Sequence, residues 1–194
     1  FNILQNYSGR VGALDLGFFN NKYLNKNMIK DIYNGKFETL YLFGADELEF
    51  DKIPKKTFVI YHGHHGDNAA SKADVIIPTP CFTEIDGIYV NLEGRVQVSK
   101  QVKMPIANVY HSCIFFKKLS EAMGIDCRYQ DVHSLRSLMF DDFSHLSKIN
   151  MITPEKIFEV KSFPNKFSKD NILSNVKNFY MTDAVSRNSP TMSS

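Results

Sequence analysis

The segment between residues 73 and 97 constrains the fold of this chain more than any other part of the sequence. It starts with a short apolar run at residues 74–77, which Pro78 ends. Apolar and polar residues then alternate from Ile88 to Val98, interrupted only at Glu93-Gly94. Alternation with period two around a glycine-containing turn is typical of a β-hairpin. The segment therefore predicts a buried strand followed by a hairpin that turns at Glu93-Gly94.

Two further runs of strand length precede this segment, at residues 39–43 and 57–61. None of the three runs alternates strictly, which is typical of parallel strands that are covered on both faces by helices. Each run is followed by turn residues, such as Gly44-Ala45-Asp46 after the first. We therefore predict a small parallel sheet, and its carboxyl-end crest is where a ligand would bind in such a fold.

Apolar residues at helical spacing predict helices at residues 2–14, 26–34, 109–123 and 131–143. Gly35 is a suitable stop for the second helix, and Asp131 is a suitable N-cap for the fourth. The predicted fold class is α/β: a small parallel sheet flanked by helices, with an added hairpin.

We predict two regions, an α/β domain at residues 1–143 and an irregular C-terminal arm at residues 144–194. Helical periodicity weakens in the second region, although Thr153-Pro154-Glu155 could open one more turn. An arm exposed to solvent would be an aggregation hazard because of its aromatic residues. The arm is therefore expected to lie along its own domain or along a partner. The aromatic residues are Phe158, Phe163, Phe167, Phe179 and Tyr180.

Composition excludes several classes of partner. Lys and Arg number 23 against 21 Asp and Glu, a balance that predicts no nucleic-acid partner. No run approaches the roughly 18 apolar residues of a membrane helix, so we expect no direct membrane insertion. Cys81, Cys113 and Cys127 form no C-x₂-C pair and are expected to be reduced thiols of a cytosolic or matrix protein. The first residue, Phe1, is compatible with a processed product, a fragment or part of a longer polypeptide.

A histidine-rich loop is the strongest candidate for metal chemistry. It contains His62, His64, His65 and Asp67. Imidazoles two residues apart could share a metal ion, and H-x-H-x-D-H is a pattern of metallo-hydrolases. Here the aspartate comes one position late and the histidine after it is missing. We therefore favour a structural loop whose side chains bond to neighbouring groups at the strand ends.

Two further groups of charged residues invite a functional interpretation. Glu93-Gly94-Arg95 could clamp an anion, although pairing of Arg95 with a nearby carboxylate is the commoner arrangement. Glu84 and Asp86 superficially suggest acid–base chemistry, but a polar loop is the better interpretation. The glycines form neither a dinucleotide fingerprint nor a P-loop.

Five blocks of the sequence, in order, resemble the molybdopterin-oxidoreductase superfamily. Residues 73–78 and 84–97 are similar to its ADVILP and TE…YVNTEGRxQ motifs. Residues 14–18, 61–67 and 178–192 are similar to ALDLGY, YQGHHGD and DFYMTDSISR…TM, which are typical of the variant in the large iron–sulfur subunit of respiratory complex I. Two departures stand out: Leu92 replaces a threonine, and residues 44–47 lack the Asn-Pro that active enzymes often use to hold the nucleotide of their cofactor.

This resemblance implies a fold retained without molybdenum catalysis. It implies that the chain corresponds to the C-terminal portion of the large iron–sulfur subunit, and that iron–sulfur clusters belong to the N-terminal portion. We accordingly expect no catalytic, cofactor-binding or metal-binding residue in this chain. The implied partners are peripheral-arm subunits of complex I and the cluster-bearing part of the same subunit, on the matrix side of the mitochondrial inner membrane.

Three functions therefore remain open. The first is a non-catalytic structural module of complex I. The second is a fragment of an active molybdopterin-dependent oxidoreductase, with its metal ligand in another part of the sequence. The third is a metal-dependent hydrolase that uses the histidine loop.

Overall fold

The structure is a computed structural model that describes residues 4–18, 26–66, 68–106, 109–152 and 180–193. Strands β1 (Thr39–Phe43), β2 (Phe58–Gly63) and β3 (Val75–Pro78) form a parallel sheet in the order β1-β2-β3. Leu42 of β1 lies opposite Tyr61 of β2, which in turn lies opposite Ile76 of β3. The predicted parallel sheet is therefore confirmed.

The predicted hairpin is also confirmed. Strands β4 (Gly87–Val90) and β5 (Val96–Ser99) pair antiparallel, with Tyr89 opposite Gln97. Gly94 occupies the turn with a φ of 79°, a left-handed conformation that glycine adopts without steric cost. The Asn91 side chain reinforces the turn, because its Oδ1 accepts hydrogen bonds from the backbone N–H groups of Glu93 and Arg95.

Short helices surround these strands. The α-helices are α1 (Arg10–Asp15), α2 (Lys26–Tyr33), α3 (Asn68–Lys72), α4 (Ser112–Ala122), α5 (Val132–Asp142), α6 (Ala184–Arg187) and α7 (Pro190–Ser193). Single 3₁₀ turns lie at Phe50–Lys52, Phe82–Glu84 and Ser144–Ser147. None of the helices in these ranges is long and apolar enough to cross a membrane.

The predicted element boundaries differ from the structure in a few places. Helix α1 starts at Arg10 rather than at residue 2, and residues 1–3 lie outside the described part of the chain. Strand β2 continues through His62 and Gly63, because their carbonyl groups accept hydrogen bonds from the neighbouring chain segments after β1 and β3. Helix α3 was not predicted, since five residues are too few to show a helical period.

The two faces of the parallel sheet pack against different layers. On one face, Leu42, Val59 and Tyr61 form a core with residues Phe50 and Ala69. The alternate residues of the same strands point the other way, as they must in a pleated sheet. This covering of both faces explains why the strand sequences do not alternate between apolar and polar residues.

A second core lies under the hairpin. Val90, Val96 and Leu146 are buried there, with exposed fractions of 3%, 0% and 2%. Partly buried residues of α1, α5 and the following segment complete this core, among them Val11, Met139 and Ile149. The second core thus joins the hairpin to helices that are distant in sequence.

Residues 144–152, which the sequence assigned to the C-terminal arm, contact the hairpin directly. Arg95 forms an isolated β-bridge with Ile152, and the Asn150 N–H donates a 2.7 Å hydrogen bond to the Val96 carbonyl group. The predicted arm residues 153–179, including the turn at Thr153 and four of the five aromatic residues, lie outside the described part of the chain. The domain boundary at residue 143 stays a prediction.

Candidate functional site at the carboxyl ends of the sheet

A chain of polar side chains runs through the face of the sheet that carries α4. The Tyr41 hydroxyl lies 2.8 Å from His62 Nδ1, and Ser112 Oγ lies 3.5 Å from His62 Nε2. Thr79 Oγ1 is in turn 2.7 Å from Ser112 Oγ. Strands β1 and β2 supply the phenol and the imidazole, and the first residue of α4 supplies the serine. The result is a contact between a serine and a histidine, the pair that nucleophilic hydrolases use.

The surroundings of His62 favour a structural role for this network. The imidazole has no exposed surface, and the rings of Phe43, Phe115 and Phe116 lie within 5.0 to 5.5 Å of its centre. Burial lowers the pKa of His62, which favours the neutral form of the ring. The partner of Nδ1 is a phenol and not the carboxylate that orients the histidine in a catalytic triad. The aromatic rings enclose the contact, and the network joins the sheet to α4.

His64 and His65 follow the end of β2 and contact each other. Their Nδ1 atoms are 2.5 Å apart, and Tyr61 donates a hydrogen bond to the carbonyl group of His65 at 3.1 Å. Burial and the neighbouring His65 lower the pKa of His64, against the opposing effect of the Asp183 and Glu84 carboxylates. His62 is thus held within the sheet, while the other two histidines pair beyond it.

The fourth member of the predicted histidine loop, Asp67, lies outside the described residues. Within the ranges that the structure describes, no three histidine, cysteine or carboxylate side chains are grouped so that they could hold a metal ion. The absence of metal ligands remains a prediction for the chain as a whole.

The carboxyl-end crest is occupied by residues from several distant parts of the sequence. Asp46 follows β1 and is 5% exposed, and the Arg187 guanidinium of α6 forms an ion pair with its carboxylate. Tyr7 lies beside this pair and hydrogen-bonds to Glu47; burial raises its pKa, and the Glu47 charge raises it further. We call Tyr7, Asp46, Glu47, His64, Glu84, Asp183 and Arg187 the crest cluster.

The two carboxylates near the hairpin have structural partners. Glu84 Oε2 accepts a 3.0 Å hydrogen bond from the Cys81 N–H and so closes a capping box. Asp86 Oδ1 accepts a 2.8 Å hydrogen bond from the Gln101 N–H, and this bond lowers the pKa of Asp86. Arg136 of α5 donates to the Asp86 carbonyl group at 2.7 Å. Both residues therefore stabilise the chain around the hairpin.

Arg95 is engaged within the fold as well. Its guanidinium donates a 2.8 Å hydrogen bond to the carbonyl oxygen of Asn150 and lies 3.8 Å from the carboxylate of Glu93. The pairing with a nearby carboxylate is the arrangement that the sequence favoured. Arg95 thereby fastens residues 149–152 to the hairpin.

The sequence did not identify several residues of the site. Tyr41, Thr79 and Ser112 carry no motif, and their link to His62 depends on the packing of α4 on the sheet. Arg187 belongs to a matched block, but the block alone predicts no role for it. The position of Asp46 was predictable from the sequence, because Asp46 lies in the turn that follows a predicted buried strand, and such turns form the crest.

Comparison with known proteins identifies the family. The family model described as molybdopterin oxidoreductase matches residues 1–122, which is more than half of the chain. The chain belongs to the molybdopterin oxidoreductase family. A second model, described as the C-terminal part of the G subunit of NADH-ubiquinone oxidoreductase, matches residues 153–194. The predicted resemblance and the predicted fold class are thus confirmed.

Individual relatives of this family member match the chain over nearly its whole length. The G subunit of NADH-quinone oxidoreductase from Rickettsia bellii is 38% identical over 99% of this chain and 27% of its own length. The mitochondrial 78 kDa subunit of NADH-ubiquinone oxidoreductase from Candida albicans is 38% identical, over 98% of this chain and 26% of its own. The 75 kDa subunit of NADH-ubiquinone oxidoreductase from Reclinomonas americana is 38% identical, over 99% and 28%. The chain spans about a quarter of the length of these relatives, which include bacterial and mitochondrial proteins.

The crest of this family member is poorly suited to the pterin cofactor after which the family is named. The cofactor carries phosphate, which proteins bind with cationic side chains and backbone N–H groups. The crest cluster instead contains four carboxylates, and its guanidinium is bound to one of them. The residues that the structure describes at this crest therefore do not fit an anionic cofactor.

Proposed function

We propose that this chain is a non-catalytic structural module of respiratory complex I. It would form the C-terminal, molybdopterin-oxidoreductase-like part of the large iron–sulfur subunit and support electron transfer from NADH to ubiquinone. The observation that carries the proposal is the match to NADH-quinone oxidoreductase relatives over 99% of the chain, together with the two family models in sequence order.

The geometry supports a structural role within that assembly. The groups with the most reactive chemistry are paired with one another: His62 with Tyr41, His64 with His65, and Asp46 with Arg187. The first and the third of these pairs join separate segments of the fold. Paired polar groups hold the packing of the fold in one arrangement. A structural module of an assembly requires such a fixed arrangement.

The mitochondrial relative from Candida albicans supports a mitochondrial location, and the finer parts are our proposal. We place the module in the peripheral arm, on the matrix side of the mitochondrial inner membrane, without insertion into the membrane. Its partners would be other peripheral-arm subunits and the N-terminal part of the same subunit, which would carry the iron–sulfur clusters. No cofactor, metal ion or nucleic acid would be bound by this chain itself.

Native electrophoresis of detergent-solubilised mitochondrial membranes tests this function. An epitope-tagged chain should migrate with the band that oxidises NADH in the gel, and antibody capture should recover iron with it. A tagged subunit of another respiratory complex is the control. If the tagged chain stays in the low-mass region while the NADH-oxidising band is intact, the proposal is wrong.

The family model for molybdopterin oxidoreductase also favours a second candidate, a part of an active molybdenum enzyme. Elemental analysis of the captured assembly separates the two functions. Molybdenum at one atom for each copy of the chain would support the enzyme, whereas the structural module predicts iron without molybdenum.

A further inference from the structure

The ion pair between Asp46 and Arg187 joins residues that are 141 positions apart in the sequence. The Asp46 carboxylate is removed from solvent, with a side chain that is 5% exposed, and the Arg187 side chain is 26% exposed. A buried carboxylate is unfavourable unless a cation or hydrogen-bond donors accompany it. The Asp46 charge at the end of β1 is therefore stabilised by having Arg187 at this position.

The C-terminal segment, residues 180–193, is shaped to present this arginine. Asp183 caps α6 by accepting hydrogen bonds from the backbone N–H groups of Val185 and Ser186, at 2.8 and 3.0 Å. Ala184 is 6% exposed, although it lies in a helix of only four residues. The buried alanine marks the side of α6 that packs against the rest of the fold.

The surroundings of Arg187 at the crest are acidic on several sides. Asp46 binds it directly, and Tyr7 with its hydrogen-bonded Glu47 is close enough for the arginine charge to act on the phenol. Asp183 of the same segment and Glu84 lie near His64, at the end of the adjacent strand. A planar guanidinium holds its N–H donors in a fixed fork that matches a carboxylate, whereas the donors of an ammonium group rotate about its stem.

We propose that the carboxyl-end crest is a guanidinium-binding site whose occupant is Arg187 of the chain's own C-terminal segment. The segment acts as an internal ligand at the position where open parallel sheets bind external ones.

Hydrogen exchange of backbone amides in the 194-residue chain tests the docking. Ser186 and Asn188 report on α6, because their N–H groups donate within the segment. Asp74, whose N–H donates to the Val59 carbonyl group, reports on the sheet. In Arg187→Gln and in Asp46→Asn, exchange at the two α6 amides should rise about tenfold or more while exchange at Asp74 is unchanged.

The control variant is Arg128→Gln, which removes an exposed guanidinium 3.9 Å from Asp142. The proposal is overturned if the α6 amides exchange equally in Arg187→Gln and Arg128→Gln. It is also overturned if exchange at Asp74 rises as much as in α6, because the pair would then act only on global stability. Should Asp46→Asn fail to fold, Arg187→Gln decides, since its side-chain amide still offers N–H donors to the carboxylate.

Chemical rescue tests the preference for a guanidinium. In Arg187→Ala, millimolar ethylguanidinium should restore protection of Ser186 and Asn188, whereas ethylammonium at the same concentration should not. Equal effects of the two cations, or no effect of either, would contradict a site built for a guanidinium. The wild-type chain, in which Arg187 holds the site, should respond to neither compound.

Discussion

Replacing Leu146 with alanine tests whether residues 144–147 belong to the folded domain or to a loosely attached arm. The sequence placed them in the arm, but in the structure Leu146 is 2% exposed and packs with Val90 and Val96 in the second core. The side chain comes from a single 3₁₀ turn that directly follows α5. Its removal would leave a cavity between the hairpin and α5.

The burial of Leu146 determines the expected loss in the free energy of unfolding. Buried leucine-to-alanine replacements cost about 2–5 kcal/mol, and more where the surroundings cannot collapse. Val90 and Val96 are held by the β4–β5 pairing, so the strand side of the cavity cannot relax, whereas the 3₁₀ turn on the other side can. We therefore expect about 3 kcal/mol, or a fall in Tm of roughly 6–12 °C for a chain of this size.

Urea denaturation followed by circular dichroism at 222 nm measures this difference. Met151→Ala is the matched control, because Met151 lies in the same segment and is 59% exposed. That control should cost less than about 1 kcal/mol. If Leu146→Ala lowers the free energy of unfolding no more than Met151→Ala does, the segment is not part of the core and the reasoning fails.

Three further changes have defined outcomes. Gly63→Ala should cost about 1–3 kcal/mol by thermal denaturation, because a Cβ there would lie 2.2 Å from the buried Tyr61 ring; Gly66→Ala, which meets nothing within 4 Å, should be close to neutral. Asp131→Ala should lower stability by about 1 kcal/mol, since its side chain accepts the Ser134 N–H at 2.8 Å and caps α5; no change in the urea midpoint would contradict this. Burial lowers the pKa of three histidines, so the unfolded chain takes up more protons than the folded chain as pH falls below about 6.5. The free energy of unfolding should therefore drop between about pH 7.5 and 5.5. A urea midpoint that stays constant over this range would refute the prediction. These histidines are His62, His64 and His111.

The strands were predictable because each is a compact apolar run bounded by turn residues. Residues 39–43 match β1, and the other two runs are displaced from β2 and β3 by one residue at their starts. The displacement has a local cause. Thr57 uses its hydroxyl to bond the Phe37 carbonyl group, and Asp74 uses its carboxylate to accept the Val59 N–H, so both end-residues act as side-chain anchors.

The packing of residues 144–152 was not predictable from periodicity. A 3₁₀ turn of four residues buries one side chain, Leu146, and an isolated apolar residue gives no period. Leu146 packs on Val90 and Val96 of the hairpin, about fifty residues earlier. Backbone groups of Asn150 and Ile152 add further contacts to the hairpin. Backbone contacts of this kind leave no pattern in the side-chain sequence.

The crest shows why a polar site in this fold can be structural. The sequence placed His62 in a loop with His64 and His65, and a shared metal was the chemistry that such a loop suggested. Extension of β2 through His62 changes this, since the ring then faces α4 and takes Tyr41 as its partner. The two remaining histidines pair with each other instead. A shift in where the strand ends therefore turns a possible ligand set into two separate contacts.

The charged pair at the crest also has a structural explanation. An aspartate at the end of a buried strand is costly to keep, and replacing a buried ion pair by apolar residues is often neutral or stabilising. The pair of Asp46 and Arg187 instead determines a position, because the buried Asp46 carboxylate requires the Arg187 guanidinium at one place on the crest. A C-terminal segment held by a few apolar contacts could slide along the crest, whereas one whose guanidinium pairs with a buried carboxylate has a single favourable position. That positional requirement is a sufficient physical reason for the charge to be there.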